Sequence, residues 1–239
     1  LQMGLMPQKS PENSSIDVAG KCQPAAQVGG DFFQYYEPEQ NRIIVAMADV
    51  TGHGMRAAVP TMVFSGLLTN QISYSGNIED LFTQLNSSLL NTLEKRTFIC
   101  FALGEIDVQS RVLRIANSGC PYPYYYNAKK NTLSEINLSA LPLGLRRDSY
   151  YPVTELKVSN GDRVVFCSDG IIEATNSNGE IFGFENTLDT IKQGCEDNLK
   201  SQELIDFVFN QVRKHSEETE QEDDQTIVAV SYTHLRAHE

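Results

Sequence analysis

The spacing of apolar residues changes period several times along the chain. Over 42–49 the run Arg-Ile-Ile-Val-Ala-Met-Ala-Asp is short and almost continuously apolar, as in a strand covered on both faces, and it ends on a carboxylate. Thr51-Gly52-His53-Gly54 supplies a flexible turn, and 56–68 carries apolar residues at helical spacing, with Pro60 tolerable only near the first turn. A second helix is predicted over about 78–94: Asn77 is a capping residue, and Ile78, Leu81, Phe82, Leu85, Leu89 and Leu93 recur every three or four positions. Extended runs over 98–106 and 111–118, joined by Asp107-Val108-Gln109-Ser110, have the pattern of an antiparallel hairpin. Two more hairpin-like pairs are expected: 122–126 with 133–136 around Ala128-Lys129-Lys130-Asn131, and 153–158 with 163–168 around the turn-forming Asn160-Gly161.

The last third predicts helices at 185–194 and 201–214, the latter with Leu204, Ile205, Val208, Phe209 and Val212 on one broad face, and then a strand at 225–231. Antiparallel strands with helices early and late predict an α+β layered sandwich in place of an alternating parallel βαβ fold. Residues 1–15 lack an apolar period and are expected to be a linker from an upstream region into a domain spanning 16–232. Residues 233–239 fit neither strand alternation nor a helix end and are expected to be a non-native tail.

Composition narrows the classes of function. With 41% hydrophobic and 21% charged residues the chain can bury one sizeable core. Nineteen basic against 31 acidic residues leave a net charge of −12, which opposes attraction to nucleic-acid phosphates, so no nucleic-acid partner is expected. Cys22, Cys100, Cys120, Cys167 and Cys195 are scattered without a Cys-x-x-Cys spacing, which argues against a zinc site or redox pair and suits a reducing cytosol. No run approaches the roughly 18 apolar residues of a membrane span. The expectation is a cytoplasmic domain, with a parent protein that carries an upstream sensory region and leaves room for a membrane tether.

Candidate chemistry lies in four acidic sites at strand ends or turns beside small residues: Gly29-Gly30-Asp31, Asp49-Val50-Thr51-Gly52-His53-Gly54, Ser168-Asp169-Gly170 and Asp223-Asp224-Gln225-Thr226. A carboxylate at a strand terminus reaches into a loop-lined cleft, and an adjacent glycine lets backbone pass close to an ion or phosphate. Hard oxygen donors without thiolate or imidazole select Mg²⁺ or Mn²⁺ over zinc. Each motif alone is more often a turn or cap; their joint order is far more demanding.

In that order the sequence resembles the protein phosphatase 2C (PPM) superfamily, in its bacterial SpoIIE/RsbU-type branch, from about Ile16 to Tyr232. Pro24-Ala25, Arg56-Ala57-Ala58 and Leu141-Pro142-Leu143-Gly144 extend the match. The resemblance implies a four-layer α-β-β-α sandwich with two antiparallel sheets flanked by helices, and a metal-dependent serine/threonine phosphoprotein phosphatase using two Mn²⁺ or Mg²⁺ ions. Asp49 would bridge the ions with help from the Val50 carbonyl, Asp169 and Asp223 would complete one shell, and Asp31 would stand beside the pair. Asp224 ranks below Asp223 as a direct ligand, because relatives outside this branch carry asparagine there. Asp49 and Asp169 would act through a metal-activated water attacking phosphorus in line. Arg56 is a candidate phosphate or substrate contact. His53 is a candidate acid for the leaving oxygen, or equally a structural turn residue.

The implied partners are a phosphorylated anti-sigma-factor antagonist or similar signalling protein, an upstream sensory domain and a second copy in a homodimer, with helix 56–69 and the segment before residue 16 as switch elements. Two departures stand out: Gln34 where the branch commonly has aspartate, and Asn117-Ser118-Gly119-Cys120 where it commonly has Asn-Ala-Gly-His. Two other readings compete. One is a non-catalytic metal-binding regulatory module. The other is a nucleotide cyclase, since Gly29-Gly30-Asp31-Phe32-Phe33 is also similar to the Gly-Gly-Asp-Glu-Phe element of diguanylate cyclases; that reading leaves Asp169 and Asp223 unexplained.

Overall fold

A computed structural model describes residues 4, 6–39, 41–52, 54–94, 96–217 and 219–233. His53 and residues 234–239, and with them most of the expected tail, lie outside the described residues. Strands of near-continuous apolar character need cover on two faces, and the fold supplies it with two five-stranded antiparallel sheets packed face to face and helices outside both. The first sheet orders β1 (Ile16–Gln23), β10 (Gln225–Tyr232), β9 (Arg163–Cys167), β6 (Tyr124–Asn127) and β7 (Thr132–Glu135). The second orders β2 (Phe32–Glu39), β3 (Arg42–Val50), β4 (Ile99–Asp107), β5 (Val112–Ser118) and β8 (Val153–Lys157). Helices α1 (Met55–Ile72) and α2 (Ile78–Thr92) cover the second sheet, and α4 (Gly183–Glu196) and α5 (Ser201–Ser216) cover the first. A single turn, α3 (Asp169–Ile172), follows β9. This is the expected four-layer α+β sandwich.

β3 shows why its sequence has no polar alternation. Ile43, Val45 and Met47 enter the core between the sheets, whereas Ile44, Ala46 and Ala48 face α1 and α2. On the helix side Phe101 stands between Phe64 of α1 and Phe82 of α2, with ring centroids 5.1 and 4.8 Å away, within the range where aromatic pairs add to area burial. Asn77 caps α2 as its sequence predicts, its side chain accepting from the Asp80 amide at 2.7 Å. Tyr124 and Tyr126 are core residues of β6, so the tyrosine-rich segment is chiefly packing.

The structure corrects one expected pairing. Residues 153–158 and 163–168 do not form a hairpin: β8 pairs with β5 in the second sheet and β9 pairs with β10 and β6 in the first. The Asn160-Gly161 turn is real, with Gly161 at φ 87°, but it carries the chain from one sheet to the other. Asp162 holds the crossover, its carboxylate accepting from the amides of Ser159 and Ala128 and from the Tyr125 hydroxyl at 2.8 to 2.9 Å. In the stretch expected to be linker, Met6 is 6% exposed and joins the inter-sheet core, so that core draws on residues before β1.

β1 and β10 pair along their whole length, Ile16 opposite Tyr232 and Gln23 opposite Gln225, and beyond them the Thr233 amide donates to the Ser15 carbonyl. The Gln23–Gln225 end is where the acidic motifs gather.

Phe101→Ala removes a fully buried ring that ties the second sheet to both of its helices. The expected cost is about 3–5 kcal/mol, read as a lowered midpoint in urea unfolding with the m-value unchanged.

Candidate metal centre

Each acidic motif reaches the same end of the sandwich by its own element. β3 delivers Asp49, β9 runs into Ser168-Asp169, the loop before β2 brings Gly29-Gly30-Asp31, and the loop before β10 brings Asp223-Asp224. Asp31 is buried, Asp49 and Asp169 are half-buried and Asp223 is exposed. The structure thus draws together Asp31, Asp49, Val50, Asp169 and Asp223. Arg56 lies exposed in the first turn of α1, two residues past its N-cap Gly54. Gln34 is half-buried, and its side chain accepts from the Tyr35 amide.

Asp224 does something different. One of its carboxylate oxygens accepts from the amides of Gly30 at 2.7 Å and Asp31 at 3.1 Å, and the other accepts from Ala25 at 2.9 Å. The side chain is spent on backbone and locks the Gly29–Asp31 loop onto the first sheet. The neighbouring peptide is clamped as well. Ser168 Oγ donates to the Asp224 carbonyl and accepts from the Thr226 amide. Gly170 lies so close to that carbonyl that a Cβ there would collide with it.

Gly30 sets the other wall. A Cβ on it would stand 2.5 Å from the Val50 carbonyl and 3.3 Å from an Asp49 carboxylate oxygen, so only glycine lets these two oxygens face the loop. Thr61 of α1 donates to both the Gly30 and Ala57 carbonyls, which fastens the helix to the same loop. Thr51 is bound at both its hydroxyl and amide to Phe98. Sequence reasoning singled out Ser168 only as part of its motif, without its clamping role, and missed Thr61 and Glu173. Only Glu173 had a signal, its spacing of four from Asp169, which places both on one side of a helical turn.

The electrostatics are those of concentrated like charge. Burial, then the charge of Asp49, holds Asp31 well above the usual carboxylate range. Asp49 is pushed up to about 7 by burial, then by Asp169, Asp223 and Asp224. Asp169 is raised by burial, then by Asp223 and Glu173. Among the described residues no lysine, arginine or histidine contributes to any of these three shifts. Burial also pushes the Cys22 and Cys100 thiols up to about 12, with the nearby aspartates adding to it, which keeps them protonated and poor nucleophiles.

A divalent cation fits this donor set on two grounds: the donors are hard oxygens, and among the described residues no positive charge offsets their mutual repulsion. Among the described residues no three His, Cys, Asp or Glu side chains form a ready-made ion cage. The fold brings the carboxylates to electrostatic range, and a bound ion would draw them in.

Two sheets between helix pairs, with aspartates converging at one end, define the protein phosphatase 2C-like fold. The chain belongs to the SpoIIE family: the family model for stage II sporulation protein E matches residues 39–233. Among curated relatives, the phosphoserine phosphatase RsbU of Bacillus subtilis is 25% identical over 179 residues, covering 75% of this chain and 53% of RsbU. The chain spans about half the length of the curated relatives it matches. Among solved structures, the SiaA-PP2C domain of Pseudomonas aeruginosa superposes with a TM-score of 0.79 at 20% identity, over 90% of this chain and 85% of that one. A serine/threonine phosphatase domain, PstP, solved with two manganese ions superposes with a TM-score of 0.62 at 15% identity, over 92% and 99% of the two chains.

Two outcomes are expected from this geometry. Asp224→Ala strands three backbone amides and lowers stability by roughly 2–4 kcal/mol, whereas Asp223→Ala, which gives up one hydrogen bond from the Asp224 amide but relieves repulsion on Asp49 and Asp169, costs the cation-free protein less; chemical unfolding in EDTA separates them. Native Asp49, raised to about 7 from an ordinary 3.8, binds more protons than its unfolded counterpart between those values, so cation-free stability falls as pH rises through that window. Asp107 and Asp206, whose values are lowered, lose their contribution only as the pH falls below the usual carboxylate range and act outside it. The melting temperature in EDTA is therefore lower at about pH 7.5 than at about pH 5.5, and Mn²⁺ raises it more at the higher pH.

Proposed function

We propose that this domain is a metal-dependent serine/threonine phosphoprotein phosphatase. The observation that carries the reading is the set of raised, mutually repelling carboxylates on Asp31, Asp49 and Asp169 at the sheet ends, in a chain of the SpoIIE family with a PP2C-like fold. Asp49, the Val50 carbonyl, Asp169 and Asp223 would hold two Mn²⁺ or Mg²⁺ ions, with Asp31 beside them. When bound, the ions would supply the Lewis acidity that makes water nucleophilic near neutral pH and offsets charge on the phosphoryl oxygens.

The rest falls to the chain's own groups. Asp49 and Asp169 orient the attack by fixing positions at the ends of two different sheets. Asp224 keeps the Gly29–Asp31 loop from retreating when charge accumulates, through its three amide contacts. Arg56, exposed at the first turn of α1, offers a guanidinium to the phosphoryl group or to the substrate chain. The substrate in this reading is a phosphorylated signalling protein of the anti-sigma-factor-antagonist kind. An upstream sensory region and a second copy of the chain would gate activity through α1. The domain body extends over 16–232, with 1–15 leading in from that upstream region and contributing Met6 to its core.

The competing reading is a regulatory module that binds metal at the same carboxylates without turnover. One assay separates the two. Phosphoserine and phosphothreonine peptides are incubated with the domain and Mn²⁺, Mg²⁺ or chelator. Metal-dependent phosphate release, reduced at least about 100-fold in Asp49→Asn and in Asp169→Asn, is the expected result. A metal-induced rise in melting temperature with no release under any metal supports the regulatory module instead.

A further inference from the structure

A cavity of about 270 Å³ opens beside the carboxylate cluster, between the last turn of α5, α3 and the start of β10. It shares Gly170 and Asp223 with the metal centre. Its size falls just below the roughly 300–1,000 Å³ of sites that enclose a drug-sized ligand, and suits one side chain. Its charge is one-sided: among the described residues Glu173, Glu217, Glu220, Glu222 and Asp223 line it, against Arg213 alone. Phe209 and Val212, both buried, add an apolar floor.

Carboxylates on a surface loop are by default solvated, but Gln225 is not explained that way. It lines the same cavity, is only 8% exposed, and its side-chain amide makes no hydrogen bond to another described residue. Its amide is not sealed off, and so it is open to a partner from within the cavity. A bare metal ion would use the carboxylates and leave the apolar floor idle. A lysine or arginine side chain would use everything present: its aliphatic stem covers Phe209 and Val212, its head donates to Gln225 Oε1, and the glutamates supply counter-charge.

We propose that this cavity is a substrate-recognition subsite that takes a lysine or arginine of the phosphoprotein lying near its phosphorylated residue. The proposal rests on the phosphoprotein reading of the adjoining cluster. It makes Gln225 and the Glu220–Glu222 loop specificity determinants for that reaction.

The test uses the full 239-residue chain with Mn²⁺ and a set of fluorescent phosphoserine peptides, each carrying one arginine or, in the matched control, alanine at a different flanking position. Affinity is read by anisotropy, and phosphate release is read separately. At least one arginine peptide is expected to bind about tenfold more tightly than its alanine match, with the preference lost in Gln225→Leu and in the double variant Glu220→Gln, Glu222→Gln. The double variant, at exposed positions, keeps the test decisive if Gln225→Leu folds poorly. Equal affinities across the set, or a preference that survives in the double variant, overturns the subsite even if phosphate is released. A preference that behaves as expected, with no phosphate released from any peptide, supports the subsite and overturns the phosphatase reading.

Discussion

One carboxylate holds the functional end of this molecule in shape. Asp224 comes from the last loop of the chain and accepts hydrogen bonds from three amides near its beginning, at Ala25, Gly30 and Asp31. Those amides lie in a loop with no sheet partner of its own, and buried amides must be paired somewhere. With Asp224 in place, the Gly30 backbone can press against the Val50 carbonyl and Asp49. Without it, the first strand of the second sheet would enter the fold from an undefined position. The contact joins the two sheets at the one place where the chemistry needs them in register.

That arrangement carries an electrostatic cost by design. Burying Asp31 beside Asp49, and crowding Asp49 with Asp169 and Asp223, opposes ionisation of all three raised groups. A fold selected only for stability would place a cation or an apolar residue here. The repulsion is tolerated because the surrounding frame is rigid: β3 is apolar on both faces, and the aromatic contacts around Phe101 fix it to α1 and α2. Strain of this kind, held by a well-packed scaffold, is what gives a site high affinity for an ion of opposite charge.

Much of this was legible in the residues. The apolar run ending at Asp49, the Asn77 cap and the order of the four acidic motifs place the cluster and most of its cover. What remained hidden depends on contacts distant in sequence. Asn160-Gly161 announces a turn, yet nothing local tells whether the next strand pairs back or crosses to the other sheet; the outcome is set by which faces are left to cover and by the three groups that bind Asp162. The pairing of Asp224 with loop amides and the clamp formed by Ser168 are likewise invisible locally. Met6, an apolar residue in an otherwise unpatterned stretch, reaches the core without any periodicity to mark it.

The full-length pairing of β1 with β10 has a mechanical corollary. The two ends of the sandwich's chain leave side by side at Ile16 and Tyr232, while the acidic cluster sits at the opposite end of the same two strands, eight residues away, or about 26 Å. Ile16 and Tyr232 thus lie at the pole remote from the acidic cluster, and the residues before Ile16 stay with the sandwich far enough for Met6 to join its core. A pull on the first strand would peel it away from Tyr232 inward and reach the cluster last. The acidic end is thus insulated from tension applied to the first strand at Ile16.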